Sequence, residues 1–277
     1  MTLLKSILLT LTLSAPTYAG WSNYKVPKAN KLVEQIGASA QEELDPDHIS
    51  ILVWNMYKGQ KKSWSKDFQE LSDNRDILIL QEMYLNQKMR SSFLENSEME
   101  YQTGTNFIYA REKVKTGVAT GSKAKAIKVI ARPSKILEPI TETPKMALMT
   151  EYALKNRDDS LLVINIHAIN FVLPIDLKTQ LDDLATFIKS HRGPVIFAGD
   201  FNAWSPAKKR ILFNVTRKLE LKAINFGEKD YRTKTFGYAL DYIFVRNMSY
   251  DNSKVWGHIY GSDHKALTVD LKAHSIP

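Results

Sequence analysis

Apolar residues along this chain follow two rhythms. Short runs of five to nine residues, rich in branched side chains, end abruptly in a polar residue. Between them lie longer stretches in which apolar positions recur every three or four residues. The first rhythm predicts strands over Ile49 to Asn55, Asp76 to Gln81, Thr105 to Tyr109, Lys115 to Ser122 and Lys125 to Ala131. It continues over Met146 to Leu154, Ser160 to Ile166, Pro194 to Gly199, Leu240 to Val245, Lys254 to Tyr260 and Ala266 to Leu271. The second predicts helices over Ser63 to Ser72, Asp176 to Ser190 and Pro206 to Leu219. Leu32, Val33, Ile36 and Leu44 give Lys28 to Leu44 the same helical look. Successive strands with short turns between them imply antiparallel meanders, and no repeat of 20 to 50 residues indicates a solenoid.

The polar residues that end the runs carry the chemistry. Asn55, Glu82, His167, Asp200, Asn202, Asp241 and His264 each stand where a strand surfaces, or beside such a point. Strand ends on one rim of a sheet are rigid places from which side chains can converge. Hydrolysis of a phosphoester requires charge neutralisation at the phosphoryl oxygens, an activated water and a protonated leaving group. Carboxylates, amides and histidines supply all three. The chain has no cysteine and no Gly-x-Ser-x-Gly elbow, which leaves covalent Cys or Ser catalysis without its usual signatures.

Individual strings suggest roles. Glu82 is a hard oxygen ligand suited to Mg²⁺ or Mn²⁺, and Asn55 can orient a metal or phosphate oxygen; a solvated acid and a turn-forming Asn are the plain alternatives. In Gly199-Asp200-Phe201-Asn202 the carboxylate can orient a water and the amide can donate to a phosphoryl oxygen, with an Asx turn as the alternative. Asp263-His264 places a carboxylate ligand beside a general base, for which Asp241 is the natural orienting partner. His167 can act on the leaving-group side, with Asn170 three residues on.

In this order the strings resemble the endonuclease/exonuclease/phosphatase superfamily, over about Ile49 to Leu271. They are Trp54-Asn55, Gln81-Glu82, Gly117-Val118-Ala119, Asn165-Ile166-His167, Gly199-Asp200-Phe201-Asn202, Leu240-Asp241-Tyr242 and Ser262-Asp263-His264. The longer phrases Asn165 to Phe171 and Gly199 to Ser205, with Phe236-Gly237, look like the bacterial YafD-type branch. The resemblance implies an α/β fold: a four-layer α/β/β/α sandwich of two mainly antiparallel sheets flanked by helices. It also implies Mg²⁺ or Mn²⁺ held by Glu82, Asn55 and Asp263, and water activation by His264 with Asp241 and Asp200. His167 would serve the leaving group. Asn202 is expected among the catalytic residues as a donor to the phosphoryl oxygen, and Asn170 and Trp204 are expected against the substrate. Pancreatic-type nucleases give the corresponding histidine a glutamate partner, for which Glu112 is the nearby candidate.

Three domain segments are expected: a signal peptide over residues 1–19, a lead-in over 20–47 and the phosphoesterase domain over 48–273. Lys5, the apolar run Ile7 to Leu13 and a small-residue pattern ending at Ala19 indicate export to the periplasm or beyond; an uncleaved anchor or a buried first helix are the alternatives. No later apolar run is long enough to span a membrane, and a monomer is expected. The formal net charge is +8, and loss of Lys5 with the leader leaves 37 basic against 30 acidic residues. Such a surface attracts polyanions or anionic lipid headgroups, unless the excess is merely scattered. Nucleic acid is the first expectation for the phosphoester, with Trp204 and Tyr231 beside a base and Lys208, Lys209, Arg210, Arg232 and Lys234 beside the backbone. A sphingomyelinase-like phospholipase, with Phe171-Val172-Leu173-Pro174 as membrane loop, is the alternative; a phosphomonoesterase and a non-enzymatic binder follow.

Overall fold

The structure is a computed structural model that describes residues 23–275. The expected leader lies outside them. In chain order the strands are β1 (Tyr24–Lys25), β2 (Val33–Gly37), β3 (Glu43–Leu44), β4 (Ile49–Asn55), β5 (Ile77–Tyr84), β6 (Glu100–Tyr109), β7 (Val114–Ser122), β8 (Ala126–Pro133), β9 (Met146–Leu154), β10 (Ser160–His167), β11 (Val195–Asp200), β12 (Lys222–Ala223), β13 (Lys234–Thr235), β14 (Tyr238–Ala239), β15 (Asp241–Arg246), β16 (Met248–Val255) and β17 (Leu267–Ala273). The helices are α1 (Trp64–Ser72), α2 (Gln87–Glu95), α3 (Pro174–Ser190) and α4 (Pro206–Lys218).

Two sheets stack face to face. The first runs β1-β6-β7-β5-β4-β17-β16, with β2 also paired to β6; the second runs β12-β15-β11-β10-β9-β3, with β8 paired to β9. Most pairs are antiparallel, but β4 and β5 are parallel, as are β10 and β11, and β3 and β9. Alternation along β4 shows why its run is continuously apolar. Ile49, Ile51 and Val53 face Val163, Ile196, Ala198 and Ile243 of the other sheet, whereas Leu52 and Trp54 face α1 and α2 through Trp64, Phe68 and Phe93. On the opposite side, Ile164, Ile166, Phe197 and Phe244 of the second sheet meet Leu177, Leu181 and Leu184 of α3 and Leu212 of α4. The result is the four-layer α/β/β/α sandwich.

The segment expected as a helix before residue 45 is instead extended. β2 pairs with β6 and β3 with β9, and β1 also pairs with β6, so the lead-in contributes two strands to the first sheet and one to the second. Its apolar spacing fits a helix, but Ile36 and Leu44 are buried by partners far away in sequence. Beyond Val255 the chain turns rather than continuing the strand expected to Tyr260.

One buried polar link ties the sheets together near the rim where β4, β10 and β11 end. Asn165 of β10 donates through Nδ2 to the carbonyls of Leu80 and Ala119, at 3.1 and 2.9 Å, and its Oδ1 accepts from Gln81 Nε2 at 2.8 Å. Gly199 makes room for this link: its φ is +138°, and a Cβ there would lie 2.0 Å from the Ile166 carbonyl oxygen and 3.0 Å from Gln81 Nε2.

Candidate active site

Strand register assembles the site. His167 ends β10 directly opposite Asp200, which ends β11 opposite Asp241 at the start of β15. These three residues form one row across the rim of the second sheet. In the facing sheet Asn55 ends β4 opposite Gln81. Between Leu80 and Met83 the β5–β7 register shifts, and within that irregularity Glu82 adopts φ +51°. A bulge of this kind re-aims a side chain at a rim, and left-handed backbone at a non-glycine residue is costly enough to need a reason.

The Ser262-Asp263-His264 loop is latched to β4 by the residues next to Asn55. Trp54 Nε1 donates to the His264 carbonyl at 3.1 Å, Ser262 Oγ donates to the Asn55 carbonyl at 2.6 Å, and the His264 amide donates to Ser262 Oγ at 3.1 Å. Two strings more than 200 residues apart thus hold each other.

His264 Nδ1 donates to Asp241 Oδ2 at 2.8 Å, a tautomer fixed by the acceptor, and its Nε2 is 4.0 Å from Asp200 Oδ2. Asp200 is pinned on both oxygens. Oδ2 accepts from Asn55 Nδ2 at 3.0 Å and lies 3.6 Å from His167 Nε2, while Oδ1 accepts from the Asn202 amide at 3.0 Å. All of these side chains are buried.

Electrostatics separate the two histidines. Burial disfavours charge at both, but at His264 the Asp241 and Asp200 carboxylates overcome it and push the imidazole up to about 10. At His167 burial prevails, assisted by the positive charges of Lys145, His264 and Lys58, and the ring is held neutral. Burial, reinforced by Asp241 and opposed by His264, raises the Asp200 carboxyl.

Asp200, Asp241 and His264 present ligand atoms within 4.8 Å of one another. Asp241 Oδ1 is buried and has no hydrogen-bond partner. An orphaned carboxylate oxygen in such a group fits a cation, because burying it unpaired is costly. Glu82 and Asp263 do not belong to this compact group. Glu82 is half-buried and acts electrostatically on Lys58; Asp263 is exposed and acts on His264. Asn55 has Oδ1 accepting from the Tyr57 amide at 3.1 Å and Nδ2 on Asp200, so its visible role is to orient that carboxylate. Asn202 donates Nδ2 to the Ala168 carbonyl at 2.9 Å, tying the loops after β10 and β11 together. Farther out, Trp204 Nε1 donates to Asn170 Oδ1 at 2.7 Å.

Other expected residues stand apart from this centre. Glu112 acts electrostatically on Tyr84, and the carboxylate beside His167 is Asp200. Arg232 is paired with Asp230 and donates to the Asp241 carbonyl at 3.1 Å, which makes it a support for β15. Lys208 is buried, with Nζ 4.5 Å from the centre of the Trp204 ring.

One residue at the site escaped the sequence reading. Lys58 lies in the turn Tyr57–Gly59 with φ +56° and donates Nζ to Tyr109 OH at 2.9 Å. Burial opposes its charge, but Tyr109 and Glu82 raise its pKa, and its charge is felt at His167. Nothing in Tyr57-Lys58-Gly59 distinguishes this lysine from an ordinary turn residue; the strained backbone is the signal.

The chain matches the model of the Endonuclease/Exonuclease/phosphatase family over residues 52–264. A UPF0294 protein of Vibrio parahaemolyticus is 31% identical over 262 residues, covering 90% of each chain. Another, from Photorhabdus laumondii, is 35% identical over 226 residues, covering 81% of this chain and 84% of the relative. Among solved structures, an endonuclease/exonuclease/phosphatase from Beutenbergia cavernae superposes with a TM-score of 0.66 at 12% identity, over 83% of this chain and 72% of that one. The human Nocturnin catalytic domain with bound sulfate superposes with a TM-score of 0.60 at 18% identity, over 88% of this chain and 99% of that one. At such identities the structural likeness speaks for the fold.

Proposed function

Since this chain belongs to the endonuclease/exonuclease/phosphatase family, whose members hydrolyse phosphoesters, we propose that it is an exported phosphodiesterase assisted by Mg²⁺ or Mn²⁺. The observation that carries this reading is the buried row His167, Asp200, Asp241 with His264 bonded to it at 2.8 Å.

His264 is the base. With Nδ1 committed to Asp241, the proton of an attacking water goes to Nε2, and the resulting imidazolium is stabilised by Asp241 and Asp200. Those same carboxylates by themselves hold the His264 imidazole well above its ordinary range. Positive charge held by the acidic group would offset them and bring His264 toward the range of a competent base. Candidate holders of the cation are Glu82, Asn55 and Asp263, together with the free Oδ1 of Asp241 and the Asp200 carboxylate. When bound, the metal neutralises charge on the phosphoryl oxygens. Because His167 is held neutral, it serves the leaving oxygen by donating a hydrogen bond from its N–H. Lys58 adds a fixed positive charge near Glu82 and His167, suited to a phosphate oxygen.

The leader pattern ending at Ala19 supports export. A panel of plasmid DNA, RNA, sphingomyelin and a phosphoinositide, each with Mg²⁺ and with chelator, tests the reading. Turnover of at least one diester that chelator abolishes is expected; turnover indifferent to chelator overturns the metal-assisted reading.

A further inference from the structure

Fourteen large apolar residues are exposed among the described residues, and six of them stand on loops, or on the first turn of α3, beside the candidate active site: Leu137, Ile140, Phe171, Leu173, Ile175 and Phe236. Resting on the phosphodiesterase reading, we propose that this apolar crown docks the protein on a lipid bilayer, so that the site takes its phosphodiester from a phospholipid headgroup.

Each loop leaves or enters the site beside a residue already named. Phe171 follows His167 by four residues on the β10–α3 connection, which also carries Leu173 and leads into Ile175. Phe236 forms the tip of the β13–β14 hairpin, five residues before Asp241. Leu137 and Ile140 sit on the β8–β9 connection, whose Glu138 Oε1 accepts from the Asn170 amide at 3.0 Å. Trp204 is the hub. Its ring centre lies 6.4 Å from that of Phe171 and 5.8 Å from that of Phe236, and it is bonded to Asn170.

Exposure at these tips is high, reaching 62% at Phe171, 68% at Leu173, 79% at Ile140 and 81% at Phe236. Solitary exposed apolar residues are ordinary, but a group of them around one mouth marks a docking surface. Phe171 and Phe236 also adopt φ of +53° and +50°, a backbone that bulky residues rarely tolerate. Glycine or asparagine would satisfy such turns at lower cost, so the large apolar side chains at these two tips are carried at the expense of backbone strain.

Chemistry selects the partner. A nucleic-acid groove interleaves cations with flat rings on which bases stack. Leu137, Ile140, Leu173 and Ile175 offer no flat face, whereas short aliphatic and phenyl tips insert readily at the boundary of headgroups and acyl chains. Cations border the crown: the exposed Lys234 begins the hairpin that carries Phe236, and the exposed Lys209 places its Nζ 5.8 Å from the Tyr238 ring in that hairpin. Apolar tips with lysines behind them match a surface whose outer layer is anionic and whose interior is hydrocarbon.

The test is co-sedimentation of the full chain with vesicles of phosphatidylcholine, with and without phosphatidylglycerol, beside turnover of vesicle-borne phospholipid and of soluble bis(p-nitrophenyl) phosphate. Wild type should pellet with vesicles, more strongly when phosphatidylglycerol is present. The triple variant Ile140→Ser, Leu173→Ser, Phe236→Ser should lose at least about tenfold in partitioning and in vesicle turnover, while retaining soluble-substrate turnover. Retained soluble turnover reports an intact site in a folded variant, and Leu173→Ser alone, which changes one exposed side chain, gives a second reading if the triple variant does not fold. Wild type left in the supernatant with both vesicle types overturns docking yet leaves the phosphodiesterase reading intact if soluble turnover persists. Equal partitioning of the variants also overturns it. So does a wild-type dimer that the variants convert to monomer, since the crown would then be a protein interface. Loss of DNA cleavage in the variants, with vesicle turnover unchanged, would assign the crown to nucleic acid instead.

Discussion

His264 Nδ1 donates to Asp241 Oδ2 across 2.8 Å, while the other oxygen of that buried carboxylate has no partner. One half of Asp241 fixes the base, and the other is left for positive charge. Replacement Asp241→Asn removes the main influence that opposes burial and raises His264. In metal-free protein, imidazole NMR should show His264 titrating near 10 in wild type and well below that in the variant. Turnover should fall by about 10²-fold or more, since the tautomer is no longer imposed. An unchanged titration would contradict the pairing.

The same pair makes stability depend on pH. His264 is raised in the folded state from 6.5 to about 10, so the folded state binds its proton more tightly than the unfolded chain does. The stabilisation is complete below 6.5, declines above it, and is gone once the pH has risen through about 10. Chemical denaturation of metal-free protein at a series of pH values should show this decline, and Asp241→Asn should flatten it. Parallel profiles for the two proteins would rule out the linkage.

Lys58 carries a prediction in two directions. Its charge acts on Glu82, so Lys58→Met should tighten Mn²⁺ binding, measured by calorimetry, because a competing cation has been removed. If Lys58 also meets the phosphate, turnover should drop about tenfold or more in the same variant. Metal affinity equal to wild type would separate Lys58 from the site.

Asn165 is a structural prediction. Replacement by Ala removes, in a buried interior, the donor to the Leu80 and Ala119 carbonyls and one of the two acceptors of Gln81 Nε2, which keeps only the Ile79 carbonyl. Urea unfolding should show a loss of about 3 kcal/mol, beyond the effect of a single neutral hydrogen bond. A loss below about 1 kcal/mol would mean that the link between sheets is dispensable.

Much of this arrangement was legible in the chain because local pattern and burial agree there. β4, β5, β10 and β11 are apolar on both faces, so their runs are continuous and their polar ends conspicuous. What the pattern hid was non-local. Ile36 and Leu44 look helical until β6 and β9 supply their partners. Helix α2 buries only Met89 and Phe93, too few to stand out, although its Asn86 cap, accepting from the Met89 amide at 2.9 Å, is a readable start signal. Among site residues, the row of acids and histidines was visible, whereas Lys58 was not, since a lysine in a turn acquires meaning only from Tyr109, Glu82 and His167 around it. The sequence points Asn55 at a metal or phosphate oxygen and Asn202 at a phosphoryl oxygen; in the fold Asn55 Nδ2 donates to Asp200 and Asn202 Nδ2 to the Ala168 carbonyl.

The central claim is that His264 and Asp200 act together on a metal-assisted phosphodiester cleavage. Its most direct measurement is turnover of bis(p-nitrophenyl) phosphate with Mg²⁺ by wild type, His264→Ala and Asp200→Asn, each purified free of contaminating hydrolase and assayed with and without chelator. Wild-type turnover that chelator abolishes, falling about 10²-fold or more in both variants, is the expected result. Full turnover in either variant, or turnover that persists in chelator, would contradict it.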